Sequence, residues 1–259
     1  NAKFAFVNPG STIKSSEVEK LEIDTDDVTH VDTGLGKFDH HQPERGHDHS
    51  SAASLVFEYL CQIHPDLEDD HALDILVDFI TEIDHFGEIY WPEADHDRYN
   101  FMLHEIIRGL EFVGIHNDES QLHFGFTCLD GIYSALKQHV KAKDILKNKA
   151  EYFQTKLGKC MAVETKNDDT LKLAQKYGAV IAIRKDSSGG HIRIKARPDA
   201  ELDLKDLADE IKLIDSTGTW YYHPSGKMLI NGSRKHRQQK ASPLSLEQVI
   251  ELVKKVYGN

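Results

Sequence analysis

Cysteine is scarce in this chain, and what there is stands alone. Cys61, Cys128 and Cys160 are the only three in 259 residues. An odd number at wide spacing excludes a disulfide framework and a cysteine-based zinc site, and reads as reduced thiols in a cytoplasmic protein. No run of about 18 apolar residues occurs, so no membrane span is expected. No signal-peptide pattern and no internal repeat are visible either. With 39% apolar and 29% charged residues, the composition fits a soluble globular protein with one large domain or two ordinary ones.

Charge is unevenly spread. Residues 1–150 hold 12 Lys and Arg against 29 Asp and Glu, whereas residues 151–259 hold 19 against 14. Thirteen of the 16 histidines lie in the first part. An acidic, histidine-rich stretch suits cation binding, and a basic last third suits a polyanion such as nucleic acid.

The stretch with the most chemistry is Val31-Asp32-Thr33-Gly34-Leu35-Gly36-Lys37-Phe38-Asp39-His40-His41-Gln42. An acidic residue follows a short apolar run, a glycine turn comes next, and then Asp-His-His. Asp32 is expected at the C-terminal end of a strand, where open parallel α/β sheets bind ligands. Carboxylate plus imidazole in that pattern suits Mn²⁺, Zn²⁺ or Fe²⁺.

Around this stretch the periodicities predict a buried strand over residues 3–7, a helix over 15–22 capped by Ser15 or Ser16, and a second strand over 28–32. Ser50 or Ser51 is expected to cap a helix carrying Leu55, Val56, Tyr59, Leu60 and Ile63. Such a capped N-terminus, with its free N–H groups, is a ready phosphate site, and Arg45 in the preceding polar loop could reach a phosphate. His47 and His49 of that loop invite a metal reading, against which a simply solvated loop weighs more. Asp69 or Asp70 starts the next helix, which holds Asp78, Glu82 and Asp84 and ends near His85. Helical spacing returns over residues 100–112, and a long helix is expected from about 121 to 157. Short strands then follow at 160–163, 180–183 and 192–195, with helices at about 170–177, 203–213 and 245–256.

The motifs resemble those of the DHH phosphoesterases. Val31-Asp32-Thr33-Gly34 and Phe38-Asp39-His40-His41-Gln42 look like that superfamily's second and third motifs. Ser50-Ser51-Ala52-Ala53 looks like the helix start that follows, and Glu82-Ile83-Asp84-His85 looks like the fourth motif. The branch it looks most like comprises manganese-dependent exonucleases and nanoRNases, and residues 28–115 carry the likeness. The first motif, His-x-x-x-Asp-x-Asp, is not in the chain. Asp24-Thr25-Asp26 has part of the spacing, but position 20 is Lys, and the segment lies too close to Asp32 to leave room for a helix and strand. The expectation is that an upstream strand, loop and helix precede this numbering.

The resemblance implies a site of two cations about 3.5–4 Å apart. It implies that Asp32 bridges them, that His40 and Asp84 bind one of them, that Asp39 orients the site and that His41 meets the scissile phosphate. Asp84 owes its role to the resemblance alone, and His85 has still less to recommend it. Mn²⁺ is the expected metal, with Mg²⁺ or Co²⁺ as alternatives.

The basic last third adds a second constellation. Gly189-Gly190-His191 is followed by Arg193, Lys195 and Arg197, alternate positions that share a face on a strand. Gly232-Ser233-Arg234, with Lys235 and Arg237, makes a second basic turn. Both resemble the glycine-rich substrate-holding segments that follow the catalytic domain in DHH nucleases. Ser50, Ser51, Arg45, Gly190, His191, Arg193, Lys227 and Arg234 are the candidate substrate contacts.

These readings combine into an α/β protein: a parallel-sheet DHH domain over 1–115, a connecting helix over 116–158 and a smaller mixed α/β domain over 159–259, with the active site in the cleft between the domains. The expected activity is metal-dependent phosphodiester hydrolysis, exonucleolytic on single-stranded nucleic acid or short oligonucleotides. The alternatives are a pyrophosphatase, a cyclic-dinucleotide or nucleotide-bisphosphate phosphodiesterase, and a non-catalytic oligonucleotide-binding module. No membrane partner is expected; a homodimer is compatible with the sequence.

Overall fold

A computed structural model of the chain describes residues 3–114, 117–232 and 238–258. It is a mixed α/β protein with one six-stranded sheet among the described residues. Two compact units divide within one long helix, the first ending at Lys137 and the second starting at Gln138. No helix among the described residues is long and apolar enough to cross a membrane.

The first unit is built from helices and loops. Helix α1 is Ser15–Leu21, α2 Ala52–Ile63, α3 His71–Asp84 and α4 Leu103–Phe112. The long helix α5, Asp118–Asn148, begins here and continues into the second unit. The caps follow local chemistry. The Ser51 hydroxyl accepts from the Ser54 amide at 3.1 Å to start α2, and one Asp70 carboxylate oxygen accepts from the Ala72 and Leu73 amides to start α3. For α1 the expected serine cap is not used: Lys14 occupies the N-cap position, its amide donating to Glu17, and Ser15 is already helical.

The parallel sheet expected in this part is not found among the described residues. Residues 3–7 form no strand, and residues 28–32 contribute only an isolated parallel bridge between Val31 and Phe38. A strand exists only as one side of a ladder, and among the described residues no strand pairs with residues 3–7. Phe4 and Phe6 are consequently half exposed, although the Phe4 ring leans on Phe126 of α5 at 5.5 Å.

The second unit holds the sheet and most of the fully buried apolar side chains. Its strands are β1 Glu151–Thr155, β2 Gly158–Glu164, β3 Ile181–Lys185, β4 Ile192–Ala196, β5 Trp220–Tyr222 and β6 Met228–Asn231. They lie in the order β1-β2-β3-β4-β6-β5; only β2 and β3 run parallel, joined through helix α6, Asp169–Lys176. Alternation divides the sheet's side chains between two layers. Cys160, Ala162, Ile181 and Ile183 face α7 (Lys205–Ile214) and α8 (Leu246–Tyr257), while Met161, Val163 and Ala182 face α6 and the end of α5, which contributes Ala142 and Leu146.

The strands expected at 160–163, 180–183 and 192–195 and the three helices match the structure, while β1, β5 and β6 are not among the expected elements. The helix expected to run to 157 stops at Asn148, and residues 151–155 form β1. Tyr152, Phe153 and Thr155 suit a pleated surface better than a helix, and a two-residue turn closes the hairpin by pairing Thr155 with Gly158. Gly158 has φ +122°, a conformation that needs glycine.

Candidate metal centre

The Asp-His-His segment folds back on itself as a tight loop. The Asp32 amide donates to the Phe38 carbonyl at 2.9 Å, and the Gln42 side-chain amide donates to the Gly36 carbonyl at 2.7 Å. Asp32 itself has φ +58° and Gly34 φ +76°. Left-handed backbone at a non-glycine residue is uncommon, though Asp tolerates it better than most. At Gly34 a Cβ would also stand 2.9 Å from the Thr12 methyl, so the turn requires glycine. Phe38 fastens the loop to α2 by packing on Tyr59 at 5.4 Å.

Asp39 holds the loop from inside. It is 1% exposed, and its carboxylate accepts from the Leu35 amide at 2.8 Å and from the His41 amide at 3.0 Å. The His41 ring completes the set, with Nδ1 2.7 Å from the same carboxylate. Burial alone would raise the Asp39 pKa, but these hydrogen bonds outweigh it and bring the group down to about 2. The hydrogen bond to Asp39 in turn lifts the His41 ring above the ordinary imidazole range; burial works against this, and the charges of Asp32, Asp39 and Asp84 add to it. Asp39 is thereby a fixed anion that orients the His41 ring, and His41 keeps Nε2 for other partners.

His40 brings two separate parts of the unit together. Its Nε2 lies 3.5 Å from Asp32 Oδ1 and 3.1 Å from Asp84 Oδ2. Asp84 is the last residue of α3, so that helix delivers it from 44 positions downstream of His40. A hydroxyl pair, Ser51 Oγ with Thr81 Oγ1 at 2.8 Å, ties the start of α2 to the last turn of α3 and fixes that delivery. Two overlapping sets of donor atoms result, each within 4.8 Å: Asp32, His40 and His41, and His40, Asp84 and His85. Mixed imidazole and carboxylate donors fit Mn²⁺, Zn²⁺ or Fe²⁺. His85 is the member to which the sequence reading gave least weight. Its adjacency to Asp84 was visible, but its approach to His40, 5.9 Å between ring centres, is a product of the fold.

The remaining candidates are placed as follows. Asp24 caps the short turn after it, its carboxylate accepting from the Asp26 amide, so Asp24-Thr25-Asp26 is a turn and not a substitute first motif. Arg45 donates to the carbonyls of Asp39 and Lys37, which uses one of its nitrogens to brace the motif loop. Ser51 is buried and spent on capping and on Thr81, so it offers a substrate little. Ser50 Oγ is buried without a hydrogen-bond partner.

In the second unit, Gly190 has φ +69° in a turn organised by Asp186, whose carboxylate accepts from Ser188 and Gly189. His191 Nδ1 lies 3.0 Å from the Asn231 carbonyl. Arg193, expected to reach phosphate, pairs with Asp168 at 2.7 Å, and the nearly buried Arg184 grips the other oxygen of that carboxylate at 2.8 Å. The Lys227 ammonium donates to the carbonyls of Ala200 and Leu202 and serves as a brace. Arg234 lies outside the described residues.

No family model, no curated protein and no solved structure matches this chain.

Proposed function

We propose that the protein is a metal-dependent phosphoesterase of the DHH kind, acting on phosphodiester bonds of single-stranded nucleic acid or short oligonucleotides. The observation that carries the reading is the convergence of Asp32 and Asp84 on His40 Nε2 from segments far apart in the chain. Asp39 behind them, ionised and hydrogen-bonded to the Leu35 and His41 amides and the His41 ring, supports the loop that carries Asp32 and His40.

In this reading Asp32, His40 and Asp84 hold Mn²⁺. Divalent cations there would supply an activated water and neutralise charge on the departing oxygen. Asp39 keeps the His41 ring in one orientation and favours its protonated form, so His41 presents Nε2–H to a phosphate oxygen. The N-terminus of α2 lies on the same side, since the Ser50 carbonyl meets His85, and its unpaired amides favour an anion. The basic last third is the further support for a polyanionic substrate. Free cysteines agree with a cytoplasmic setting.

The test is Mn²⁺-dependent release of mononucleotides from a short labelled single strand, with His40→Ala as control. Release in the wild type that falls at least a hundredfold in the variant is expected. Release of phosphate from pyrophosphate, with none from the oligonucleotide, would move the assignment to a pyrophosphatase. Oligonucleotide binding without turnover at saturating Mn²⁺ would make the chain a binding module.

A further inference from the structure

His85 has no place in the ligand set that Asp32, His40 and Asp84 make, yet its surroundings are those of a ligand. It caps the C-terminus of α3 immediately after Asp84. Its Nε2 lies 2.9 Å from the Ser50 carbonyl. A carbonyl oxygen can only accept, so Nε2 carries a proton and, in the neutral ring that binds a metal, Nδ1 holds the lone pair. Metal-bound histidines are held in this way, one nitrogen donating to a carbonyl or carboxylate while the other faces the ion. Three further features agree. His85, His40 and Asp84 each offer a donor atom within 4.8 Å of the others. The His85 ring stands nearly edge-on to His40, and His49 packs against it at 4.6 Å between ring centres. The C-terminal end of α3, with its outward carbonyls, favours positive charge.

We infer that His85 is a further metal ligand, binding through Nδ1 beside Asp84, with the Ser50 carbonyl selecting the tautomer. The inference rests on the metal reading above and extends it. It gives the Asp84 side two ligands in one helix turn. It also gives residue 50 a role through its backbone, which survives any change of its side chain.

The experiment is a Mn²⁺ titration of the full chain followed by electron paramagnetic resonance, reading both affinity and the nitrogen couplings of the bound ion. His85→Gln is the informative variant: its amide N–H can still donate to the Ser50 carbonyl, so the packing is kept, but nothing replaces Nδ1. Loss of one nitrogen coupling and a 10–100-fold weaker affinity, with an unchanged metal-free melting temperature, are expected. His85→Gly should bind weakly and recover affinity when imidazole is added. If His85→Gln binds like the wild type while His40→Ala does not, His85 is no ligand and the metal centre stands without it. Weakened binding that keeps every nitrogen coupling would give His85 a structural role and also overturn the inference. A wild-type chain that takes up no Mn²⁺ would remove both readings together.

Discussion

At the scale of single residues, Asp39 is the group on which the centre depends. Three donors converge on a carboxylate that is shut away from water. An unpaired buried charge is heavily penalised, and this one is stabilised by three hydrogen bonds, two to Oδ1 and one to Oδ2. Asp39→Asn keeps the shape but turns an N–H₂ group toward N–H donors. The expected cost is about 2 kcal/mol of stability, read as a lower melting temperature, together with weaker Mn²⁺ binding, because Asp32 and His40 sit on the loop that Asp39 orders. A variant that melts and binds like the wild type would show that the carboxylate charge is not what orders the loop. Arg193 and Lys227 teach the opposite lesson at this scale. Both look like free cations in the sequence, and both are engaged, one by Asp168 and the other by two carbonyls.

Among the elements, the connection from α7 to β5 is held by a second saturated carboxylate. Asp215 caps α7 and accepts from the Ser242 hydroxyl, the Gly218 amide, the Trp220 indole and Thr217. Burial pushes its pKa up, and these hydrogen bonds overcome that and bring it down to about 2. In the unfolded chain the same group titrates near 3.9. Because the folded value is the lower one, Asp215 stabilises the fold fully above about pH 4 and loses that contribution as pH falls toward 2, a difference of about 2–3 kcal/mol. Asp215→Asn should therefore melt lower at neutral pH and show a shallower loss of stability between pH 4 and pH 2, measured by thermal denaturation at each pH. Parallel wild-type and variant curves across that range would remove the argument.

For the molecule as a whole, the two units owe their stability to different sources. The second has a sheet covered on both faces, with side chains such as Ile181, Ile194, Leu207 and Val249 fully buried. The first has no sheet among its described residues, and its candidate metal ligands lie in a loop and at the end of α3, which Ser51 and Thr81 tie to α2. A ligand that binds only the folded form stabilises it by about 2.7 kcal/mol at a hundred times its dissociation constant. Saturating Mn²⁺ should accordingly slow amide hydrogen exchange in residues 31–42 and in the last turn of α3 while leaving β2, β3 and β4 unchanged. Equal protection throughout, or none, would argue against a metal centre in the first unit.

Much of the second unit was legible from the sequence alone. Short apolar runs mark β2 and β3, period-two alternation marks β4, and Ser245 and the glycine turns mark element ends, because these signals act within a few residues of the backbone they shape. The caps Ser51 and Asp70, and the Asp39–His41 adjacency, were legible for the same reason. What only tertiary structure decided is whatever spans dozens of residues. Residues 3–7 have a strand's composition and no ladder, while residues 151–155, expected to extend the long helix, form a strand paired with β2. Asp84 and His85 come to His40 only because α2 and α3 are fastened end to end. Residue types set which groups can bind a metal; chain closure over long separations sets which of them meet, and that term is not written in any local stretch of sequence.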